Sequence, residues 1–378
     1  MARPRKSEGL VVNWEERGSY PVVFADNMFA VENTAVVETL RAVSGVERPR
    51  VMLVADMNVV QRTEGLGTSI GKYVQAHGLA LAGAPVVIGG GEKIKTDGMQ
   101  SVLKIVEAAL EAKIGKNDIM MAIGGGTILD VAGYAASQVR GGVKLVRVPT
   151  TIASMTDAAF ADNAAMDNGH VKDALRVPCR PAAVIVDVSY AKTVLDGVWR
   201  GGVGELVRFA AVKDATLMKK IAKNAEALKE RDFEVLSDAV RDCVSAHVKW
   251  GATGFALWSA ARLEAMSGWK LPHGYAVPIG ICIDCAYAVE KGLLKEDHQE
   301  FICRALADCG ALDGLSHSHH LLSQADNILF GLDAWRLSNG SERITLPSGI
   351  GKSEDVDSVD REAMKKVIKE FLAVSTGA

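Results

Sequence analysis

The sequence predicts an α/β domain followed by a helical one, with the division near residue 193. Three observations carry this. Apolar strand-like runs alternate with helical stretches as far as Val184-Ile185-Val186-Asp187, the pattern of a parallel sheet with crossover helices. From residue 203 to 335 such runs disappear and helical periodicity dominates, with few prolines. Within the first part, Met120-Met121-Ala122-Ile123 ends in Gly124-Gly125-Gly126 and restarts as Thr127-Ile128-Leu129-Asp130-Val131-Ala132-Gly133. That is a strand, a glycine turn and a small-residue helix.

The elements follow in order. Residues 10–45 read as a first strand and a first helix. Val51-Met52-Leu53-Val54-Ala55-Asp56 is a buried-strand run ending in an acid. Such an acid either bonds a ribose hydroxyl at the carboxyl edge of the sheet or caps the next helix. After a helix, Ala84-Pro85-Val86-Val87-Ile88 closes on Gly89-Gly90-Gly91, with Glu92 and Lys95 beyond it. A helix near 97–113 leads into the central strand at 118–123. Small residues at 132, 133, 135 and 136 let the next helix pack close to the sheet. Lys144-Leu145-Val146-Arg147-Val148-Pro149 is a strand running into Thr150-Thr151. Near the end, Arg343-Ile344-Thr345-Leu346-Pro347 reads as a short late strand, and 359–373 as the last helix.

The triple-glycine turn is the sharpest chemical signal. Three residues without Cβ allow a tight turn and close approach to a ligand. The helix behind it aims its first N–H groups and its positive dipole end at the same place, which suits a pyrophosphate. A plain strand–turn–helix joint needs only one glycine. The wording is not GxGxxG, so the usual dinucleotide fingerprint does not apply.

Composition sets the remaining bounds. The 378 residues allow two domains with ample core. Charged residues make up 24% and hydrophobic residues 48%, as in soluble globular proteins. A net charge of −3 gives no reason to expect nucleic-acid or membrane partners. The N-terminus is basic but lacks the apolar stretch of a signal peptide, and no run is long enough to span a bilayer. A cytoplasmic location is expected. Six cysteines are scattered along the chain. Cys282 and Cys285 form a CxxC inside an apolar helical stretch with no second pair nearby, which favours buried thiols over a zinc or redox site. His317, His319 and His320 read as a solvated loop tract rather than a metal cluster.

Several stretches in order share one pattern. They are Gly124 to Ala136, Arg147-Val148-Pro149-Thr150-Thr151, Asp157, Lys172, Pro181 to Asp187, Gly204-Glu205-Leu206-Val207-Arg208 and Leu271-Pro272-His273-Gly274-Tyr275-Ala276-Val277. Together they resemble the dehydroquinate synthase superfamily of sugar-phosphate cyclases, in wording nearest the 2-epi-5-epi-valiolone synthase branch, which cyclises sedoheptulose 7-phosphate. The resemblance implies a Rossmann-like NAD-binding α/β domain (1–193) and an α-helical metal- and substrate-binding domain (194–378). It implies NAD, a divalent metal such as zinc or cobalt, and a homodimer. By the same resemblance Asp56 and Asn58 hold the adenosine end of NAD, and Glu92 and Lys95 match a Gly-Glu-x-x-Lys stretch. Gly124, Gly125, Gly126 and Asp130 surround the pyrophosphate and nicotinamide ribose, with Thr150 and Thr151 beside them. Asp157 and Lys172 face substrate and nicotinamide, Arg208 keeps the cation of a family lysine among the catalytic residues, and Glu205 and His273 fit two of three metal ligands.

The residue types suit that chemistry. Oxidising a secondary alcohol needs a hydride acceptor and loss of the hydroxyl proton, which a divalent cation assists. Glu and His are suitable zinc ligands. The ketone then acidifies its neighbouring C–H, phosphate leaves, the hydride returns, and the ring closes by an intramolecular aldol step with NAD regenerated.

The chain also departs from the pattern. The family's Gly-His-x-x-Gly-His stretch reads Ala256-Leu257-Trp258-Ser259-Ala260-Ala261. Leu257 therefore stands for one histidine, a metal ligand, and Ala261 for the other. Asn163 replaces a lysine, Arg208 a lysine, and Tyr275 a glutamate. His247 is the nearest upstream candidate for a third ligand. Two other readings stay open: a polyol or glycerol-phosphate dehydrogenase, and a non-catalytic NAD-binding relative without a metal site.

Overall fold

The computed structural model describes residues 18–169 and 171–376. The basic N-terminal segment lies outside them. The strands are β1 Val22–Phe24, β2 Arg50–Asp56, β3 Ala80–Leu81, β4 Val86–Ile88, β5 Ile119–Gly124, β6 Lys144–Pro149, β7 Asn163–Asn168, β8 Val171–Pro178, β9 Ala183–Val186, β10 Ile344–Gly349 and β11 Lys352–Val356. Seven form one parallel sheet in the order β1-β9-β6-β5-β2, with β3 and β4 both paired to the outer side of β2. Every residue of β5 is buried, as are six of seven in β2. Helices cover both faces, so these strands read as unbroken apolar runs rather than alternating ones.

The chain leaves β2 for the β4 edge and then crosses back to lay β5 on the other side of β2. The carboxyl ends of β2 and β5 therefore flank the topological switch point, where α/β sheets take their ligands. The glycine turn stands there, followed by the helix Gly126–Gln138. None of its three glycines adopts a positive φ. The need is for space: a Cβ on Gly124 would lie 2.6 Å from the Ile128 Cβ, and one on Gly126 3.2 Å from that of Ala158.

An antiparallel hairpin, β7–β8, projects from the first half. Beyond the short 3-10 segment Val188–Thr193 come the helices Asp196–Lys213, Phe233–Trp250, Leu257–Met266 and His273–Glu290. The late strand is one arm of a second hairpin, β10–β11, and the helix Arg361–Thr376 closes the described chain. Cys282 and Cys285 are buried within the His273–Glu290 helix. The expected histidine loop is instead a 3-10 turn, Leu315–Ser318, and a one-turn helix, His319–Leu322. No described helix is long and apolar enough to cross a membrane.

Two close approaches join the parts. A Cβ on Gly202 would lie 2.4 Å from the Ile152 Cβ, so the Asp196–Lys213 helix sits directly on the helix that follows β6. A Cβ on Gly201 would lie 2.4 Å from the Gly274 Cα, so the Asp196–Lys213 and His273–Glu290 helices touch backbone to backbone.

One of the acids that the helical half buries is held by neutral donors. Asp284 is fully buried and accepts from Trp258 Nε1 at 2.9 Å and the Ala256 N–H at 3.0 Å. Burial pushes its pKa up to about 7, against the pull of those two hydrogen bonds. A carboxyl raised in the folded state contributes stability that is present below its unfolded pKa and lost as pH rises through the folded one. Between those two values each pH unit costs about 1.4 kcal/mol. Denaturant unfolding from pH 5 to 8 is expected to show stability falling toward pH 7 and then levelling. Asp284→Asn should remove that slope, and an unchanged slope would refute the assignment.

Candidate active site

Seven side chains form a continuous chain of contacts from the hairpin to the helical half. Glu92 Oε1 lies 3.1 Å from Lys172 Nζ, and Lys172 Nζ lies 2.5 Å from Glu264 Oε2. Glu264 Oε1 is 2.8 Å from His273 Nδ1, and His273 Nε2 is 3.1 Å from Glu205 Oε1. Glu205 Oε2 accepts from Arg208 Nε at 2.6 Å, and a second Arg208 nitrogen lies 3.0 Å from Asp157 Oδ2. Arg208 also donates to the Thr253 carbonyl at 2.8 Å. Glu205 and Arg208 are one helical turn apart, so they share a face. His273 opens the helix that crosses Glu205's own at Gly201 and Gly274.

The charges are strongly coupled. Burial works against the Glu205 carboxylate, but Arg208 and His273 outweigh it and hold its pKa at about 2. Glu264 is likewise held at about 2, burial being overcome by Lys172 and His273. Burial lowers His273, yet the two carboxylates raise it to about 10. Arg208 and Lys172 are raised by their acids despite burial.

A second cluster lies under the hairpin. The buried Lys95 Nζ is 2.6 Å from Asp173 Oδ1, 2.9 Å from Asp130 Oδ2 and 3.7 Å from Asp167 Oδ1. Burial pushes Asp167 up to about 6, and its Oδ2 has no hydrogen-bond partner. Asp130 sits in the first turns of the glycine-turn helix, which carries no side-chain cap. Its first N–H groups are thus open to an anion. Thr150 donates its N–H to the Gly124 carbonyl at 3.0 Å, and Thr151 caps the next short helix with Ser154. Asp56 caps the helix Met57–Arg62, accepting from the Asn58 N–H at 2.8 Å and its side-chain amide at 3.0 Å. The glycine turn at Gly90 packs directly on that carboxylate.

His247 stands apart from Glu205 and His273. Its ring lies between Phe160 and Phe209, with Nδ1 3.1 Å from the Thr156 carbonyl oxygen. It lines a cavity of about 600 Å³ together with Asp157, Phe160, Asn163, Thr253 and Leu257. Among the described residues, no group of three or more His, Cys, Asp or Glu side chains is arranged to hold a metal. Two atoms do suit one. Glu205 Oε1 is buried without a hydrogen-bond partner, and His273 Nε2 faces it. Glu92, Glu264, Glu205 and Asp157 supply four carboxylates against the two permanent cations Lys172 and Arg208. A divalent ion that displaced the second proton of His273 would balance the remainder.

Sequence reasoning had no place for Glu264. It follows Leu257 and Ala261 at i+7 and i+3, on one helical face, and that spacing was the available signal. Its contacts to Lys172 and His273 depend on the hairpin and on a second helix, which no local pattern reveals.

The family profile described as 3-dehydroquinate synthase N-terminal matches residues 85–200. The 3-dehydroquinate synthase of Pyrobaculum islandicum is 29% identical over 292 residues, spanning 71% of this chain and 83% of its own. Among solved structures, the 2-epi-5-epi-valiolone synthase ValA of Streptomyces hygroscopicus subsp. jinggangensis, with NAD+ and Zn2+ bound, superposes with a TM-score of 0.81. It is 22% identical, over 97% of this chain and 100% of that one. A 2-deoxy-scyllo-inosose synthase complexed with carbaglucose-6-phosphate, NAD+ and Co2+ follows at TM-score 0.72 and 19% identity, over 92% and 96%. The doubly wound sheet with its glycine turn, the helical half carrying Glu205 and His273, and these likenesses agree: the chain has the dehydroquinate synthase-like fold and is similar to 3-dehydroquinate synthases.

Proposed function

We propose that this chain is an NAD- and divalent-metal-dependent sugar-phosphate cyclase, with sedoheptulose 7-phosphate as the first substrate to try. The observation that carries the reading is the facing pair Glu205 Oε1 and His273 Nε2, 3.1 Å apart in a buried acid-rich network. Bound NAD would supply a reversible hydride acceptor, and the ion a positive charge beside the substrate oxygen. Glu205 and His273 would hold the ion. Arg208 keeps Glu205 ionised and holds Asp157 in place, and Lys172 stands across the cleft between Glu92 and Glu264. The uncapped turn at Gly124, Gly125 and Gly126 would take the pyrophosphate. Asp56 and Asn58 would meet the adenosine end, and Glu92, Lys95, Asp130, Thr150 and Thr151 the nicotinamide side. The working unit is a homodimer, and the division between the halves falls at 193.

The reading is tested by product analysis, using mass spectrometry with NAD and Zn²⁺ or Co²⁺ against C6 and C7 sugar phosphates. A cyclised product, one phosphate released per turnover and no accumulated NADH are expected. Stoichiometric NADH with a simple ketone product would make the chain a dehydrogenase instead. Gly125→Val places a branched side chain against Thr151, whose Cγ2 lies 3.3 Å from where a Cβ at this glycine would stand. It is expected to weaken NAD binding by about 100-fold or more, since losing the pyrophosphate seat forfeits at least about 2.8 kcal/mol. A parent-like NAD affinity in the folded variant, read by calorimetry, would put the site elsewhere.

A further inference from the structure

We infer that Glu264 is a positioning residue that keeps a hydrogen on His273 Nδ1 and turns the ring so that Nε2 stands beside Glu205 Oε1, ready to take an ion in place of its proton. The inference rests on the reading of Glu205 and His273 as metal ligands. The carboxylate is almost fully buried, and each of its oxygens meets one partner. Oε1 lies 2.8 Å from His273 Nδ1, and Oε2 lies 2.5 Å from Lys172 Nζ. A carboxylate is an acceptor only, so the Nδ1 it faces must carry the hydrogen. Nε2 stands 3.1 Å from Glu205 Oε1, a buried oxygen without a hydrogen-bond partner, and an ion that displaced the Nε2 proton would find its lone pair there. Nδ1 and Nε2 lie on opposite sides of the ring, so Glu264 supports an ion at Nε2 from behind and does not share it. Carboxylate-supported histidines of this kind are more basic ligands and lose about 10–100-fold in metal affinity when the support is removed. That support matters more here, because Leu257 and Ala261 on the same helical face offer no ligand atom.

The amide variant makes this testable. Glu264→Gln has one acceptor oxygen for two donors. The charged Lys172 claims that oxygen, the amide NH₂ turns to Nδ1, and His273 is driven to carry its hydrogen on Nε2. The Nε2 lone pair that an ion needs is then gone. Removing the competitor in Glu264→Gln/Lys172→Met frees the amide oxygen for Nδ1–H and restores the first tautomer. A merely structural role predicts no such rescue.

The experiment titrates Co²⁺ alone into the full chain and follows its visible absorption, with NAD affinity and thermal stability measured alongside. Glu264→Gln is expected to bind Co²⁺ about 10–100-fold more weakly with an altered spectrum. NAD affinity should be unchanged in Glu264→Gln, and the double variant should recover most of the loss of Co²⁺ affinity. Parent-like Co²⁺ affinity and spectrum in Glu264→Gln overturn the inference, as does a double variant no better than the single. If the parent takes up no Co²⁺, the metal-ligand reading itself fails. The ¹⁵N resonances of His273 then decide the positioning role: a shift of Nδ1 in Glu264→Gln, reversed in the double variant, supports it, and unchanged resonances overturn it.

Discussion

Glu205→Ala and His273→Ala are each expected to abolish divalent-ion uptake and to lower turnover by at least about 1,000-fold, the scale on which loss of an electrostatic stabiliser acts. With only this facing pair of ligand atoms in the network, either change leaves one protein ligand, too few to hold zinc. The changes differ in what they leave behind. Glu205→Ala strips one partner from the buried Arg208, which keeps Asp157 and the Thr253 carbonyl. Its stability loss should therefore fall below the roughly 3–5 kcal/mol typical of breaking a buried pair outright. Glu205→Gln preserves an oxygen for Arg208 and separates loss of the ion from loss of fold. His247→Ala is the counterpart: it should cost about 1–2 kcal/mol through the lost ring contacts to Phe160 and Phe209 while metal content stays at the parent level. Metal analysis reads all four variants. An ion that survives both alanine changes at Glu205 and His273, or disappears with His247→Ala, would show that its ligands lie elsewhere.

The sheet was legible because its strands are buried on both faces. Val51 to Asp56 and Ile119 to Gly124 are unbroken apolar runs that end in chemistry-bearing turns. The hairpin β7–β8 was not legible. Asn163–Asn168 buries its four middle residues, but only three of them are apolar and two of those are alanines, and Val171–Pro178 is mostly exposed or half-exposed, so neither reads as a strand from its residue types. The hairpin is nevertheless what brings Asp167, Lys172 and Asp173 to Glu264 and Lys95. β11 escaped for the same reason: Lys352–Val356 is charged and exposed, and only its pairing with β10 makes it a strand. In the site, residue types at fixed local spacing, Glu205 with Arg208 and the glycine turn with Asp130, could be read from the sequence. Pairings set by long-range packing could not. The triple glycine reads from the sequence as a tight turn open to close approach; its backbone has no positive φ, and its small size is what counts.

The largest effect on stability is expected from Gly201→Ala, because the geometry of the Glu205–His273 pair depends on one backbone contact. The added Cβ would stand 2.4 Å from the Gly274 Cα and 3.0 Å from its carbonyl carbon. Carbon atoms rest at about 3.5–4.0 Å, so one helix must retreat by about 1 Å. Backbone cannot rotate aside as a side chain can, so the cost should reach or exceed the roughly 1–3 kcal/mol of ordinary overpacking. Glu205 lies one turn beyond Gly201, and His273 adjoins Gly274. The same retreat therefore moves the two ligand atoms apart by more than the roughly 0.5 Å that a metal site tolerates. Gly67→Ala is the control: that glycine lies in the helix Leu66–His77 with nothing within 4 Å of an added Cβ. There the smaller unfolded-state entropy should leave the protein unchanged or more stable by up to about 1 kcal/mol. Thermal unfolding and Co²⁺ titration of the two variants separate the cases. Gly201→Ala should lose both stability and ion affinity, and Gly67→Ala neither. Parent-like behaviour of Gly201→Ala in both measurements would mean that the two helices do not meet at this glycine pair.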